Sequence, residues 1–147
     1  MLVRVVLDTN VIIAGLMSKT GASNRVLQLS SDGQFEYALS DALGYEYEEV
    51  LYRMFSRLTL NETQIPLFLA FMAQKAYVQP LYFRWRPQLK DPKDEHVLEL
   101  AINARAVYIV TFNRKDFVGS ERFGVKVISP AEFLKLLEPS ATSTQGE

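Results

Sequence analysis

A chain of 147 residues, 48% of them hydrophobic, is long enough to bury one ordinary core and short for two. Sixteen Lys and Arg against seventeen Asp and Glu leave a net charge of −1, which excludes the global basic bias of many polyanion binders and leaves any such ligand to a local patch or a bound cation. With no cysteine there is no disulfide framework, thiolate nucleophile or Cys-rich zinc site; a single histidine, His96, excludes a His-rich metal site. No run approaches the roughly 20 apolar residues of a membrane span, and Leu2–Leu7 is too short for a signal peptide, so a cytoplasmic protein is expected.

The apolar run Leu2–Leu7, broken only by Arg4, has the pattern of a parallel strand covered on both faces, and it ends abruptly at Asp8. Val11–Met17 and Arg25–Leu29 read as helical, and Gly33 separates them from a short strand, Phe35–Leu39. A longer helix follows from Ser40. Asn61, with Gln64 three residues on, is a capping box opening a helix to about Ala76, and Tyr77–Val78 begins a short strand. Residues 80–90 read as an irregular basic-aromatic loop carrying Tyr82, Phe83, Arg84, Trp85 and Arg86. Pro92 restarts a helix through Ala104. Val107–Thr111 and Val125–Ile128 read as buried strands, and Ser129-Pro130 with Glu132 caps a last helix ending near Leu137. Strands alternating with helices imply an α/β fold, a three-layer α/β/α sandwich with a central parallel sheet. Residues 1–138 are expected to form one globular unit and 139–147 a disordered tail.

Ligands of such a sheet bind beyond the carboxyl ends of its strands, near the point where strand order reverses. Asp8 stands at such an end, with Thr9 and Asn10 turning into the next helix; it reads equally as a metal ligand or as that helix's cap. In the helix after Ser40 the apolar stripe is Leu43, Tyr47, Val50, Leu51 and Met54; Glu46 borders it, while Glu48 and Glu49 face water. Asp94 shares a face with Val97, Leu98 and Ala101, where a carboxylate needs a donor, a basic partner or a metal. Asp91-Pro92-Lys93-Asp94 is also a helix start, with Asp91 as cap. Thr111, Asn113 and Asp116 set a hydroxyl, an amide and a carboxylate at a second strand's end. Acids converging on one cleft repel one another unless cations neutralise them, and hard Mg²⁺ or Mn²⁺ with oxygen ligands suits phosphodiester hydrolysis.

These pieces, taken in order, resemble the PIN-domain family, in particular its bacterial and archaeal toxin branch. The matching segments are Val5-Val-Leu-Asp8-Thr-Asn10-Val, Ser40-Asp-Ala-Leu-Gly-Tyr-Glu46-Tyr-Glu-Glu-Val-Leu51, Asp91-Pro-Lys-Asp94-Glu-His-Val-Leu98 and Ile109-Val-Thr111-Phe-Asn113-Arg-Lys-Asp116-Phe117, spanning Leu2 to about Leu137. The resemblance implies a parallel sheet between helices, endoribonuclease activity with a divalent metal, acids at Asp8, Glu46, Asp94 and Asp116, a homodimer, and inhibition by a small antitoxin protein. Many PIN domains carry an aspartate where this chain has Asn113, so Asp116 is read as the fourth acid, with Asn10, Asp91, Thr111 and Asn113 in support.

Arg84, Trp85, Arg86, Lys93, Arg114 and Lys115 are candidate RNA contacts, by stacking or by steering phosphate; a dimer contact explains the aromatic loop equally well. His96 points away from the apolar stripe and is assigned no part in the chemistry. Two rival readings stand beside the nuclease. One is an aspartyl-phosphate enzyme, whose phosphatase pattern wants a second aspartate where this chain has Asn10. The other is a PIN-like binding module whose acids serve as caps and ion pairs.

Overall fold

The computed structural model describes residues 2–80, 89 and 91–139. The expected contacts at Arg84, Trp85 and Arg86, and the tail from residue 140 on, lie outside the described residues.

Five strands, β1 (Arg4–Leu7), β2 (Glu36–Leu39), β3 (Tyr77–Val78), β4 (Tyr108–Val110) and β5 (Lys126–Ile128), form one sheet in the order β3-β2-β1-β4-β5. Every pair is parallel, with Val5 opposite both Tyr37 and Tyr108 and Val110 opposite Ile128. Val5, Val6 and Leu7 are all fully buried although successive side chains point to opposite faces, so both faces of the central strand are covered. The chain adds β2 and β3 outward on one side of β1, then returns to add β4 and β5 on the other. Strand order therefore reverses between β1 and β4, whose carboxyl ends lie side by side where sheets of this kind form their ligand crevice.

Among the described residues six α-helices connect and cover the strands: α1 (Thr9–Met17), α2 (Ala22–Ser31), α3 (Asp41–Arg53), α4 (Ile65–Lys75), α5 (Glu95–Asn103) and α6 (Pro130–Leu137). α5 lies against β1, β2 and β4, while α3 touches α1, α4 and α5, which brings α3 beside the crevice. Gly15 permits the close approach of α1 to α2, because a Cβ there would come within 2.5 Å of the Leu27 side chain. Among the described residues no helix is long and apolar enough to cross a membrane.

Start signals in the sequence correspond to observed caps. Ser40 Oγ accepts from Leu43 N at 3.2 Å and opens α3. The Asn61–Gln64 box is present, but it closes a 3₁₀ turn, Glu62–Gln64, that runs into α4. The helix expected from Pro92 is likewise a 3₁₀ turn, Pro92–Asp94, continued as α5 from Glu95. α5 ends in a Schellman motif: Ala106 N bonds Ala101 O at 2.9 Å and Arg105 N bonds Ile102 O at 3.2 Å. Its left-handed position is held by Arg105, at φ 57°, rather than by the usual glycine.

Candidate active site

β1 and β4 end side by side. Asp8 N donates to Val110 O at 3.0 Å, which sets Asp8 next to Thr111, the residue following β4. Asp8 is 8% exposed and Thr111 fully buried. Both sequence readings of Asp8 hold at once: Oδ1 accepts from Thr9 N at 2.9 Å as the cap of α1, and Oδ2 accepts from Thr111 Oγ1 at 2.7 Å. The Thr111 hydroxyl in turn accepts from Asn113 N at 3.0 Å and from Asn10 Nδ2 at 3.2 Å, so one donor and two acceptor sites are all used. Asn10 Nδ2 also reaches Asp8 Oδ2 at 3.3 Å, and its Oδ1 accepts from Phe112 N at 3.4 Å. Asn10 and Thr111 thus lock the two strand ends together around Asp8, and Asn113 takes part through its backbone.

Helices deliver the other acids. Glu46, one turn into α3, is half-buried, whereas Glu48 and Glu49 are exposed. Thr9 Oγ1 donates to its Oε2, and His96 Nε2 donates to its Oε1 at 2.9 Å. Asp94, at the junction of the 3₁₀ turn and α5, caps no backbone N–H; Asp91 does the local capping, accepting from Lys93 N at 2.9 Å. Asp116 is half-buried in a 3₁₀ turn, Arg114–Phe117, after β4.

The acids sense one another. Burial, then the negative charges of Asp116, Asp8, Asp91 and Glu46, push Asp94 up to about 6. Asp8 is raised chiefly by burial, against the pull of its Thr111 and Thr9 bonds, with Glu46 and Asp116 adding to the rise. For Glu46 burial is the largest influence and acts upward, yet the hydrogen bonds from His96 and Thr9 prevail and hold its carboxyl below the ordinary value. Under Asp8, Tyr47 donates its hydroxyl to Leu7 O; burial foremost, then the charges of Asp8 and Glu46, raises that phenol well above its ordinary value.

Carboxylates that raise one another's proton affinity favour a nearby cation by charge, and their oxygens suit a hard ion. Among the described residues no three of them come close enough to ligate one ion together. Mg²⁺ takes only one or two direct carboxylates and keeps several waters, so this donor set fits an ion held largely through water.

Two features escape a reading of the sequence. His96 lies against Glu46 and is only 14% exposed in its side chain, which corrects its assignment away from the site: as the helix winds on from Asp94, α5 turns this position toward α3 rather than toward solvent. Glu95 and Glu99, which the sequence does not single out, are buried at 2%, with Leu89 N donating to Glu95 at 3.1 Å. Of the basic residues, Lys93 and Lys115 are exposed, and Arg114 is drawn into an ion pair with Glu132.

No curated protein sequence matches the chain. Among solved structures it is similar in fold to VapBC2 from Rickettsia felis bound to a DNA fragment from its promoter. That likeness has a TM-score of 0.56 at 15% identity and covers 86% of this chain and 98% of that one. The model of the PIN domain family matches residues 4–115, from the first strand through the turn after β4 that leads to Asp116, and the chain belongs to the PIN domain family.

Proposed function

We propose that this chain is a divalent-metal-dependent endoribonuclease, the toxin of a toxin-antitoxin pair. PIN domains are generally nucleases that use a divalent metal. The observation that carries the reading is the set Asp8, Glu46, Asp94 and Asp116, drawn from two strand ends and two helices, in which burial first and then the neighbouring negative charges lift Asp94 to about 6. When bound, Mg²⁺ or Mn²⁺ supplies Lewis-acid shielding of the phosphodiester and acidifies a water.

The chain's own groups do the rest. Asp8 presents a carboxylate whose orientation is set by Thr9 N and Thr111 Oγ1, so no side-chain freedom is lost when a cation is bound. Glu46 is kept ionised by its two donors, ready as a ligand at neutral pH. Asp94 and Asp116 complete the negative field, and Lys93 and Lys115 stand at its rim, where they steer a phosphate backbone inward. Single-stranded RNA is the substrate this open edge suits, since an unpaired strand can lay one phosphate into the crevice.

An apolar groove runs away from the acids between α1 and α3, lined by Ile13, Ala14, Met17, Val50 and Met54 and ending at Asn10 and Glu46. Its shape and composition suit the apolar face of an amphipathic antitoxin helix, which would block the acids as it binds. Exposed Leu67 and Phe71 on α4 offer a face for a homodimer.

Labelled single-stranded RNA incubated with purified protein and Mg²⁺, Mn²⁺ or EDTA tests the reading. Cleavage that needs metal and disappears in Asp8→Asn and Asp94→Asn is expected. RNA binding that is indifferent to metal and to both substitutions would make the protein a binding module with structural acids.

A further inference from the structure

We propose that His96 is a positioning residue for Glu46, fixing the acid of α3 in register with the acid of α5. This rests on the nuclease reading above, in which Glu46 faces the cation. A glutamate on a helix has three side-chain torsions, and the negative charge of Glu46 is close enough to Asp8 and Asp94 to raise both, so repulsion opposes its staying beside them. Two donors oppose that drift, one on each oxygen: Thr9 Oγ1 on Oε2 and His96 Nε2 on Oε1. They leave a lone pair on each oxygen for a cation or its waters.

The two donors come from different places. Thr9 follows Asp8 directly and refers Glu46 to the end of β1. His96 follows Asp94 by two residues and refers Glu46 to the start of α5. A carboxylate tied at both oxygens to the neighbours of the other two acids has its distance to each of them set by the backbone. Because the carboxylate can only accept, the proton of this bond is on Nε2, and the ring acts here as a donor rather than as a base. Outer partners of this kind govern how well a site holds its ion, while contributing no ligand of their own.

Titration of Mn²⁺, without RNA, into the full chain at neutral pH separates this from a packing role. His96→Leu is expected to weaken Mn²⁺ binding about tenfold or more. His96→Gln, whose amide nitrogen can donate from nearly the same place, restores it to near the wild-type value. Glu46→Gln weakens binding by itself, and adding His96→Leu to Glu46→Gln has no further effect. Thermal midpoints of the metal-free variants are read alongside; should His96→Leu fail to fold, His96→Asn, too short to reach Glu46, replaces it. His96→Leu that binds Mn²⁺ like wild type, while Glu46→Gln does not, overturns the inference and leaves the nuclease reading standing. Wild-type Mn²⁺ affinity in Glu46→Gln removes Glu46 from the cation site, and the inference falls with it.

Discussion

Asp8 at the strand edge and Asp94 at the start of α5 are held by different means. Asp8 directly follows the buried end of β1, tied by Thr9 N at 2.9 Å and Thr111 Oγ1 at 2.7 Å, within a lattice that also engages Asn10 and Asn113. Asp94, on the helix side, has no capping duty and carries the repulsion of the other acids. Hydrogen bonds therefore fix the Asp8 carboxylate and partly offset the rise that burial gives it, whereas burial and repulsion raise Asp94 with no capping bond to oppose them. In the proposed metal site the first acid would set geometry and the second would supply affinity.

The largest effects should come from deleting either charge. Asp8→Asn and Asp94→Asn are each expected to lower RNA cleavage on the order of 10²–10³-fold, the several kcal/mol that a correctly held metal contributes to the transition state. They should part company in stability. Asp8→Asn breaks a hydrogen-bonded lattice and lowers the thermal midpoint, whereas Asp94→Asn relieves repulsion and raises that of the metal-free protein. If both lower it, the contrast between the two regions fails.

Thr111→Val probes the strand edge without touching a carboxylate. It strips Asp8 Oδ2 of its 2.7 Å donor and leaves Asn113 N without its acceptor, so metal affinity should drop about 10- to 100-fold. Stability should fall by about 1–3 kcal/mol in denaturant titration.

The helix side predicts a pH dependence. Asp94 ionises in the unfolded chain near 3.8 and in the folded protein near 6, so between these values the folded state binds the extra proton. Its contribution to stability is greatest below about 4, falls as pH rises toward 6, and stays low above. Asp8 acts in the same direction and Glu46, whose carboxyl is lowered, in the opposite one. The difference between wild type and Asp94→Asn isolates the effect: the midpoints of the metal-free proteins should separate by a few degrees as pH rises from about 4 to 6. Saturating Mg²⁺ should close the gap at neutral pH.

Smallest is a control remote from both regions. Arg105→Gly relieves a left-handed residue at the end of α5 and should stabilise by about 1 kcal/mol, with Mn²⁺ affinity unchanged. A change in affinity would mean that the end of α5 is coupled to Asp94 at its start.

Periodicity made the strands legible because burial on both faces forces an unbroken apolar run, as in Val5-Val6-Leu7, and the run stops where the first acid stands. Caps were legible for a similarly local reason: Ser40, Asn61 and Ser129 satisfy backbone N–H groups within three residues of themselves. Glu46 stood out from Glu48 and Glu49 because a helix repeats every 3.6 residues. The role of His96 was hidden, since its partner lies 50 residues away and no local pattern encodes a contact between α3 and α5. The burial of Glu95 and Glu99 was equally invisible, as their charge argues for water until the packing of α5 is known.

What the sequence by itself determined is the kind and order of the elements and the acids at their ends, because propensity, capping and hydrophobic period act over a few residues. The tertiary structure alone decided which acids receive hydrogen bonds, Asp8 and Glu46, and which one, Asp94, is left with burial and repulsion. Those energies depend on distances between β1, β4, α3 and α5, set by how the whole sheet is covered and by the reversal of strand order between β1 and β4.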